Sequence, residues 1–320
     1  MLQHLFERFN MNNHPLVSVV IVTYNSAAFV LDALESVKEQ TYDNIELIVS
    51  DDCSKDDTVS ICEQWIETNK DRFVNVVLVT TEKNTGTAAN CNRGLSKCKG
   101  EWLKLFAGDD ALCSNCIEDF VGFVTENPEA KLIIGVFEEY EGSFVEGNKV
   151  DYHSDCNTRY LDDTAEKQFE VMIQGSFILP CACFLNMEMV RSVGGYDEKY
   201  GVFEDLPFYL KVLKSGYRCF RMDKVVAKYR LSNSNIWANS SVYFNYDLKK
   251  KQYLVLKDWR FPYYSRGRRI ICTCHHYFFE FLHFLHLDKK TPFNNFLWQN
   301  LNRIAKKLQK IVLKRHTARP

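Results

Sequence analysis

Residues 16–25 read LVSVVIVTYN, a near-continuous apolar run that breaks off at Thr23, Tyr24 and Asn25. A strand buried on both faces has this composition, because helices covering both sides of a parallel sheet leave no solvent-facing alternation. Two further runs end in the same way: IELIVSDDCSKDDT from Ile45 and EWLKLFAGDD from Glu101. The first delivers Asp51 and Asp52, the second Asp109 and Asp110. In an open α/β sheet ligands bind beyond the carboxyl ends of the strands. The four acids are therefore expected together on one edge, in an acidic site suited to a metal ion.

Working outward, the apolar period alternates between that of strands and that of helices, as a doubly wound α/β domain with a mostly parallel sheet requires. Strands are expected over 17–23, 45–50, 74–80, 101–106 and 131–140, and helices near 26–40, 56–69, 87–99, 114–126 and 204–215. Phe29, Val30, Leu34 and Val37 form one face of the first helix. Asp56 and Asp57 suit the N-terminus of the second, and Ser114 is the expected N-cap of the fourth. The polar stretch 141–163 reads as a long surface loop near the acceptor. From Phe169 onward the pattern gives a helix, an apolar run around Ile178–Leu185, the helix near 204 and two short strands. Residues 1–15 form an extension. Residues 16–238 form one domain, with a nucleotide-binding half to about 112 and an acceptor half beyond it, and 239–320 form a helical, basic region.

The charge balance sets that last region apart. Formal net charge is -1 over 320 residues, yet residues 240–320 carry 17 Lys and Arg against 4 Asp and Glu. Such asymmetry points to an anionic partner. The segment 270–287 is apolar but holds Glu280 and four histidines, so it reads as interfacial or as core and not as a spanning helix. Beyond it Leu297, Leu301, Ile304, Leu308 and Ile311 recur at helical spacing among Lys and Arg. That pattern predicts a basic amphipathic helix on an anionic membrane surface. A nucleic acid is not the expected partner, since no stacking motif or recognition helix accompanies the charge. The N-terminal residues lack an apolar segment and cleavage site, so the twelve scattered cysteines are expected as free thiols of a cytoplasmic protein, peripheral on the inner membrane face. Cys113 and Cys116 have zinc-like spacing without a second pair, and read as structural thiols.

Six segments in order, VSVVIVTYNS, SDDCSKDDT, NTGTAANCNRG, AGDD, GGYDEKYGVFEDLPFYLKVLKSGY and VAKYRLSNSN, resemble the family 2 inverting glycosyltransferases. The resemblance runs from about Val17 to about Asn235. It implies a GT-A fold and transfer of a sugar from a nucleotide diphosphate donor. By the same resemblance Asp109 and Asp110 match the last two acids of an LDxDD pattern whose first acid is Ala107 here. One of them is expected to bind Mn²⁺ or Mg²⁺ and the other ribose or water. Asp51 and Asp52 match acids that contact uracil and ribose, with the turn Thr23–Tyr24–Asn25 on the other base edge, so the donor is expected to carry uracil or thymine. Asn84, Gly86 and Arg93 fall in an NxGxxxARNxG segment whose motif arginine is Cys91, leaving Arg93 as the substitute. Arg230 follows Tyr229 without the histidine often found two residues later, and is expected to pair with phosphate through its fork of donors. Glu204–Asp205 matches the family's ED motif, in which the aspartate deprotonates the acceptor; Asp197 is its competitor, and a plain helix cap the bland alternative. The acceptor is expected to be a saccharide or polyprenyl-linked glycan in surface polysaccharide synthesis, and the enzyme a hexosyl- or N-acetylhexosaminyltransferase. Loss of turnover through Ala107, Cys91 and Ser232, leaving a nucleotide-sugar-binding scaffold, is the alternative.

Overall fold

The computed structural model describes residues 14–153, 163–175, 178–231, 244–294 and 296. By its contacts the chain divides into two compact units, residues 1–232 and 233–320.

In the first unit four parallel strands, β1 (Val17–Thr23), β2 (Ile45–Asp51), β3 (Asn75–Val79) and β4 (Trp102–Ala107), lie in the order β3-β2-β1-β4. Every end falls within one residue of its expected position. All seven residues of β2 are buried, and so are six of the seven in β1, as strands covered on both faces demand. The intervening helices are α1 (Val30–Lys38), α2 (Thr58–Asn69), α3 (Thr87–Leu95) and α4 (Cys116–Glu126). α1 buries Val30, Ala33, Leu34 and Val37, and each such side chain stabilises the fold by about 1.5–3 kcal/mol relative to exposure. The cap of α2 differs from expectation in one detail. Asp57 holds the N-cap position without a side-chain bond, and the Asp56 carboxylate accepts from the N–H of Thr58 (3.1 Å) and of Ala27 (3.0 Å). In α4 the N-cap residue is Asn115, not Ser114.

The sheet continues past β4 through three strands of mixed direction. β8 (Cys183–Asn186) runs antiparallel to β4 and to β6 (Leu132–Glu141), and β9 (Cys219–Leu231) lies parallel to β6. The two-residue β5 (Ala111–Leu112) closes the edge against β9. Two sequence expectations are corrected here. The stretch 141–163 contains a strand, β7 (Lys149–His153), paired antiparallel with the end of β6. The two short strands of the acceptor half are one thirteen-residue strand, β9. Its partner register passes from Ile134↔Arg221 to Val136↔Val225. Three residues, Met222–Lys224, thus face only Gly135. Such a bulge exposes consecutive side chains and reads in sequence as a turn. The helices of this half are α5 (Ala165–Gln174), α6 (Met187–Ser192) and α7 (Asp205–Lys214).

The second unit contains α8 (Tyr246–Val255) and α9 (Arg266–Phe284), joined by a π turn at Leu256–Arg260 and a 3-10 turn at Phe261–Tyr263. No helix among the described residues is long and apolar enough to cross a membrane. The amphipathic helix expected over 297–311 lies outside the described residues. The described cysteines form no disulfide with one another, and burial pushes the Cys116 thiol up to about 12, which keeps it protonated as a packing group.

Candidate active site

Strand register builds the site. Thr23 lies opposite Asp51 and Val22 opposite Ala107, so β1, β2 and β4 end level with one another. The ladder extends one bond further on each side, from Asp52 N–H to the Thr23 carbonyl (3.0 Å) and from Gly108 N–H to the Val22 carbonyl (2.9 Å). The turns at Tyr24–Asn25, Asp52–Ser54 and Gly108–Asp110 therefore leave the sheet side by side. Gly108 is required here because a Cβ would stand 2.7 Å from the Thr23 methyl.

On the nucleotide side, both acids are heavily hydrogen-bonded. Asp51 accepts from the hydroxyls of Thr23 (2.8 Å) and Ser54 (2.5 Å) and from the Ser54 N–H (2.8 Å). Asp52 accepts from the N–H (3.0 Å) and hydroxyl (2.6 Å) of Thr85, from the Gly86 N–H (2.7 Å), and from Arg93 (3.1 Å). Gly86 holds a φ of 91°, which favours glycine, and its N–H also reaches the Asn84 side chain at 3.1 Å. Asn25 is likewise left-handed at φ 52°, its side chain accepting from the Lys55 N–H (2.8 Å), while the Tyr24 ring is 48% exposed above the turn.

Both arginines expected to meet phosphate are engaged inside the protein. Arg93 donates to Asp52, to the Thr85 hydroxyl (2.6 Å) and to the Asn90 side chain (2.8 Å). Arg230 is 2% exposed; it donates to the Asp109 carbonyl (2.7 Å), the Gly142 carbonyl and the Asp32 carboxylate (2.6 Å), with Phe29 and Phe144 against its guanidinium. These protein partners orient both guanidinium groups. Cys91, at the motif-arginine position, is buried and offers no positive charge.

Burial dominates the electrostatics of the Asp109–Asp110 loop. Asp110 is 3% exposed and accepts from the Arg230 N–H at 3.0 Å. Burial first, and the neighbouring Asp109 second, hold its carboxyl well above the usual carboxylate range; burial also raises Asp109. A buried carboxylate beside a half-buried one is stabilised by a divalent cation, and hard oxygen donors suit Mg²⁺ or Mn²⁺. No set of three His, Cys, Asp or Glu side chains gathers among the described residues. The pair fits a cation completed by phosphate oxygens and water, as Mg²⁺ commonly is.

On the acceptor side, Glu204 and Asp205 open α7. Asp205 accepts from the Leu206 N–H at 2.6 Å, and burial raises its carboxyl. One oxygen of Glu204 is buried without a hydrogen-bond partner. Burial, then the Asp205 charge, push its carboxyl up to about 8. Asp197 differs: it pairs with Lys199 at 3.4 Å and is about a third exposed. Burial first, and then the charges of Glu204, Asp205 and Asp52, raise the Cys91 thiol, which ties the two acidic clusters to one neighbourhood beside α3.

Sequence reading missed three residues that shape this site. Asn90 donates to the Thr23 carbonyl (3.1 Å) and accepts from Ser50 (2.7 Å), locking α3 onto β1 and β2. Asp32 anchors Arg230 across 198 positions, and nothing local signals it. Lys104 is fully buried and donates to the carbonyls of Cys181 (2.5 Å) and Cys183 (3.1 Å). A lysine inside the apolar run WLKLFA was its visible signal.

A level strand edge carrying an acidic turn, with a half-buried carboxylate pair at a helix start, defines the GT-A class of nucleotide-sugar transferases. The model of glycosyl transferase family 2 matches residues 18–194, and the chain belongs to that family. Among its relatives, Bacillus subtilis TuaG, named for teichuronic acid biosynthesis, is 24% identical over 80% of this chain and 97% of its own length. Glycosyltransferase GlyG of Streptococcus pneumoniae is 35% identical over 40% of this chain and 41% of its own. Two solved structures share the fold. Residues 1–349 of S. aureus TarS with UDP-GlcNAc match with a TM-score of 0.57 at 19% identity, covering 75% of this chain and 65% of that one. The mannosyltransferase PcManGT of Pyrobaculum calidifontis, with GDP-Man and Mn2+, matches with a TM-score of 0.56 at 20% identity, covering 82% and 70%.

Proposed function

We propose that this glycosyltransferase moves a sugar, with inversion, from a UDP-sugar to a hydroxyl of a saccharide or polyprenyl-linked glycan in surface polysaccharide synthesis. The observation that carries the reading is the level ending of β2, β1 and β4, which lines up Asp51, the Thr23–Asn25 turn and the Asp109–Asp110 turn along one sheet edge. Asp51 and the Thr23–Asn25 turn hold the base, and Asp109 and Asp110 face the diphosphate. Asp109 and Asp110 would hold a divalent cation, which when bound would offset charge on the departing diphosphate. Asp205 takes the proton of the acceptor hydroxyl as the oxygen attacks the anomeric carbon in line, and the nucleotide leaves from the opposite face. Its raised proton affinity suits that task better than an ordinary surface carboxylate. The name of TuaG and the UDP-GlcNAc in the TarS structure support the polysaccharide role and the uridine donor.

Calorimetry with UDP tests the donor side. Affinity is expected to rise when Mn²⁺ replaces EDTA, and the rise to be lost in Asp110→Asn, since the amide lacks the charge that holds a divalent ion. Equal affinity under all three conditions would exclude the metal-assisted reading. A screen of UDP- and dTDP-sugars for hydrolysis then identifies the sugar.

A further inference from the structure

Helix α9 is amphipathic in the wrong sense for a helix packed on its neighbour. Its more polar side faces α8: Tyr253 stacks on His276 at 3.8 Å and Tyr246 on His283 at 4.1 Å, and the Tyr246 hydroxyl donates to Glu280 at 3.0 Å. Phe279 is the apolar member of that side, edge-on to Phe244. The opposite side, at spacings of three and four, carries Ile270, Ile271, Tyr277, Phe278, Phe281 and Phe284, which are 43% to 78% exposed. Exposed apolar area this concentrated marks a surface that meets another phase or partner.

We propose that the outer face of α9 lies in the headgroup region of an anionic phospholipid bilayer, with the helix axis parallel to the membrane. The charge pattern selects this occupant. Arg266, Arg268 and Arg269 stand exposed at one end of the stripe and Lys289 and Lys290 just past the other. The one acid of the helix, Glu280, is on the α8 side and engaged there. A protein partner of matching shape would not need cations at both ends, whereas anionic headgroups flank an inserted apolar stripe on every side. Aromatic rings dominate the stripe, as they do where a side chain sits between hydrocarbon and water. A helix of nineteen residues spans roughly 28 Å along the surface, and it is not apolar enough to pass through it. The surface is independent of the sugar-transfer reading, because lipid binding is measured without donor or acceptor.

The test is sedimentation of the full chain with vesicles of phosphatidylcholine alone or with phosphatidylglycerol. Wild type is expected to bind the mixed vesicles at low salt, to bind neutral vesicles weakly, and to lose affinity as salt rises. The variant Phe278→Ser/Phe281→Ser/Phe284→Ser changes exposed side chains only, so it should keep the wild-type circular dichroism while binding falls on the order of a hundredfold. Tryptophan placed at Phe281 should shift its fluorescence to the blue with mixed vesicles. Undiminished binding by the triple variant would overturn the proposal, leaving attachment to other basic residues. Concentration-dependent dimers that the triple variant abolishes, with no vesicle binding by wild type, would also overturn it and make the face a contact between copies.

Discussion

The two acidic pairs of the site are held in opposite ways. Asp51 and Asp52, at the end of β2, accept hydrogen bonds from hydroxyl, amide and guanidinium groups of five residues, Thr23, Ser54, Thr85, Gly86 and Arg93, with every oxygen met. Glu204 and Asp205, at the start of α7, have a single backbone N–H at Asp205 and a bare buried oxygen at Glu204. Satisfied carboxylates organise the loops around them, whereas under-satisfied buried ones hold protons tightly and are poised to exchange them. Architecture and proton chemistry thus fall to different acids, both pairs within electrostatic reach of Cys91 on α3.

Substitutions can break this contrast. The largest effect is expected at Asp205→Asn, where loss of a general base lowers transfer by roughly 10²–10⁴-fold while UDP affinity stays within about twofold. Retained turnover would move the base to Glu204 or Asp197. Next comes Asp52→Ala, which strips acceptors from Thr85, Gly86 and Arg93 together and should cost about 2–4 kcal/mol in chemical unfolding. A loss below about 0.5 kcal/mol would mean that Asp52 does not organise its loop.

Glu204→Gln should act in the opposite direction. A carboxyl raised from 4.5 to about 8 binds its proton more tightly in the folded chain than in the unfolded one. Stability contributed by that proton is present below pH 4.5 and falls as pH rises toward 8. The glutamine variant removes this slope and should be more stable than wild type by about 1–2 kcal/mol near pH 8, with little difference at pH 5. Equal slopes in thermal melts across that range would refute it. The raised Asp205 should also place the acid limb of the rate profile above the ordinary carboxylate range, with the coupled pair titrating together. The smallest effect is at Asp56→Ala, a helix-cap change expected to cost about 1 kcal/mol.

The contrast also explains what was legible in the sequence. Strands buried on both faces write themselves as apolar runs, so the parallel frame and its acidic ends were readable from Val17 to Ala107. β9 was not, because the exposed Asp223–Lys224 pair interrupts its alternation at the bulge opposite Gly135. β7 hid among polar residues at the sheet's edge, where only one neighbour, β6, demands a pattern. At the site, residue types announced the acids but not their partners. That Arg93 and Arg230 turn inward depends on Asp52 and Asp32, contacts 41 and 198 positions away that no local spacing encodes.

Gly108 gives the acidic turn a narrow mutational tolerance. Any side chain at this position begins with a carbon 2.7 Å from the Thr23 methyl. Thr23 is itself fixed by its hydroxyl bond to Asp51 at 2.8 Å. A substitution in the turn after β4 would therefore be felt two strands away, at an acid it never touches. In a library randomising residues 107–110 together with residue 23, position 108 should return glycine almost alone wherever threonine stays at 23, and the rare other survivors should carry a compensating change at position 23.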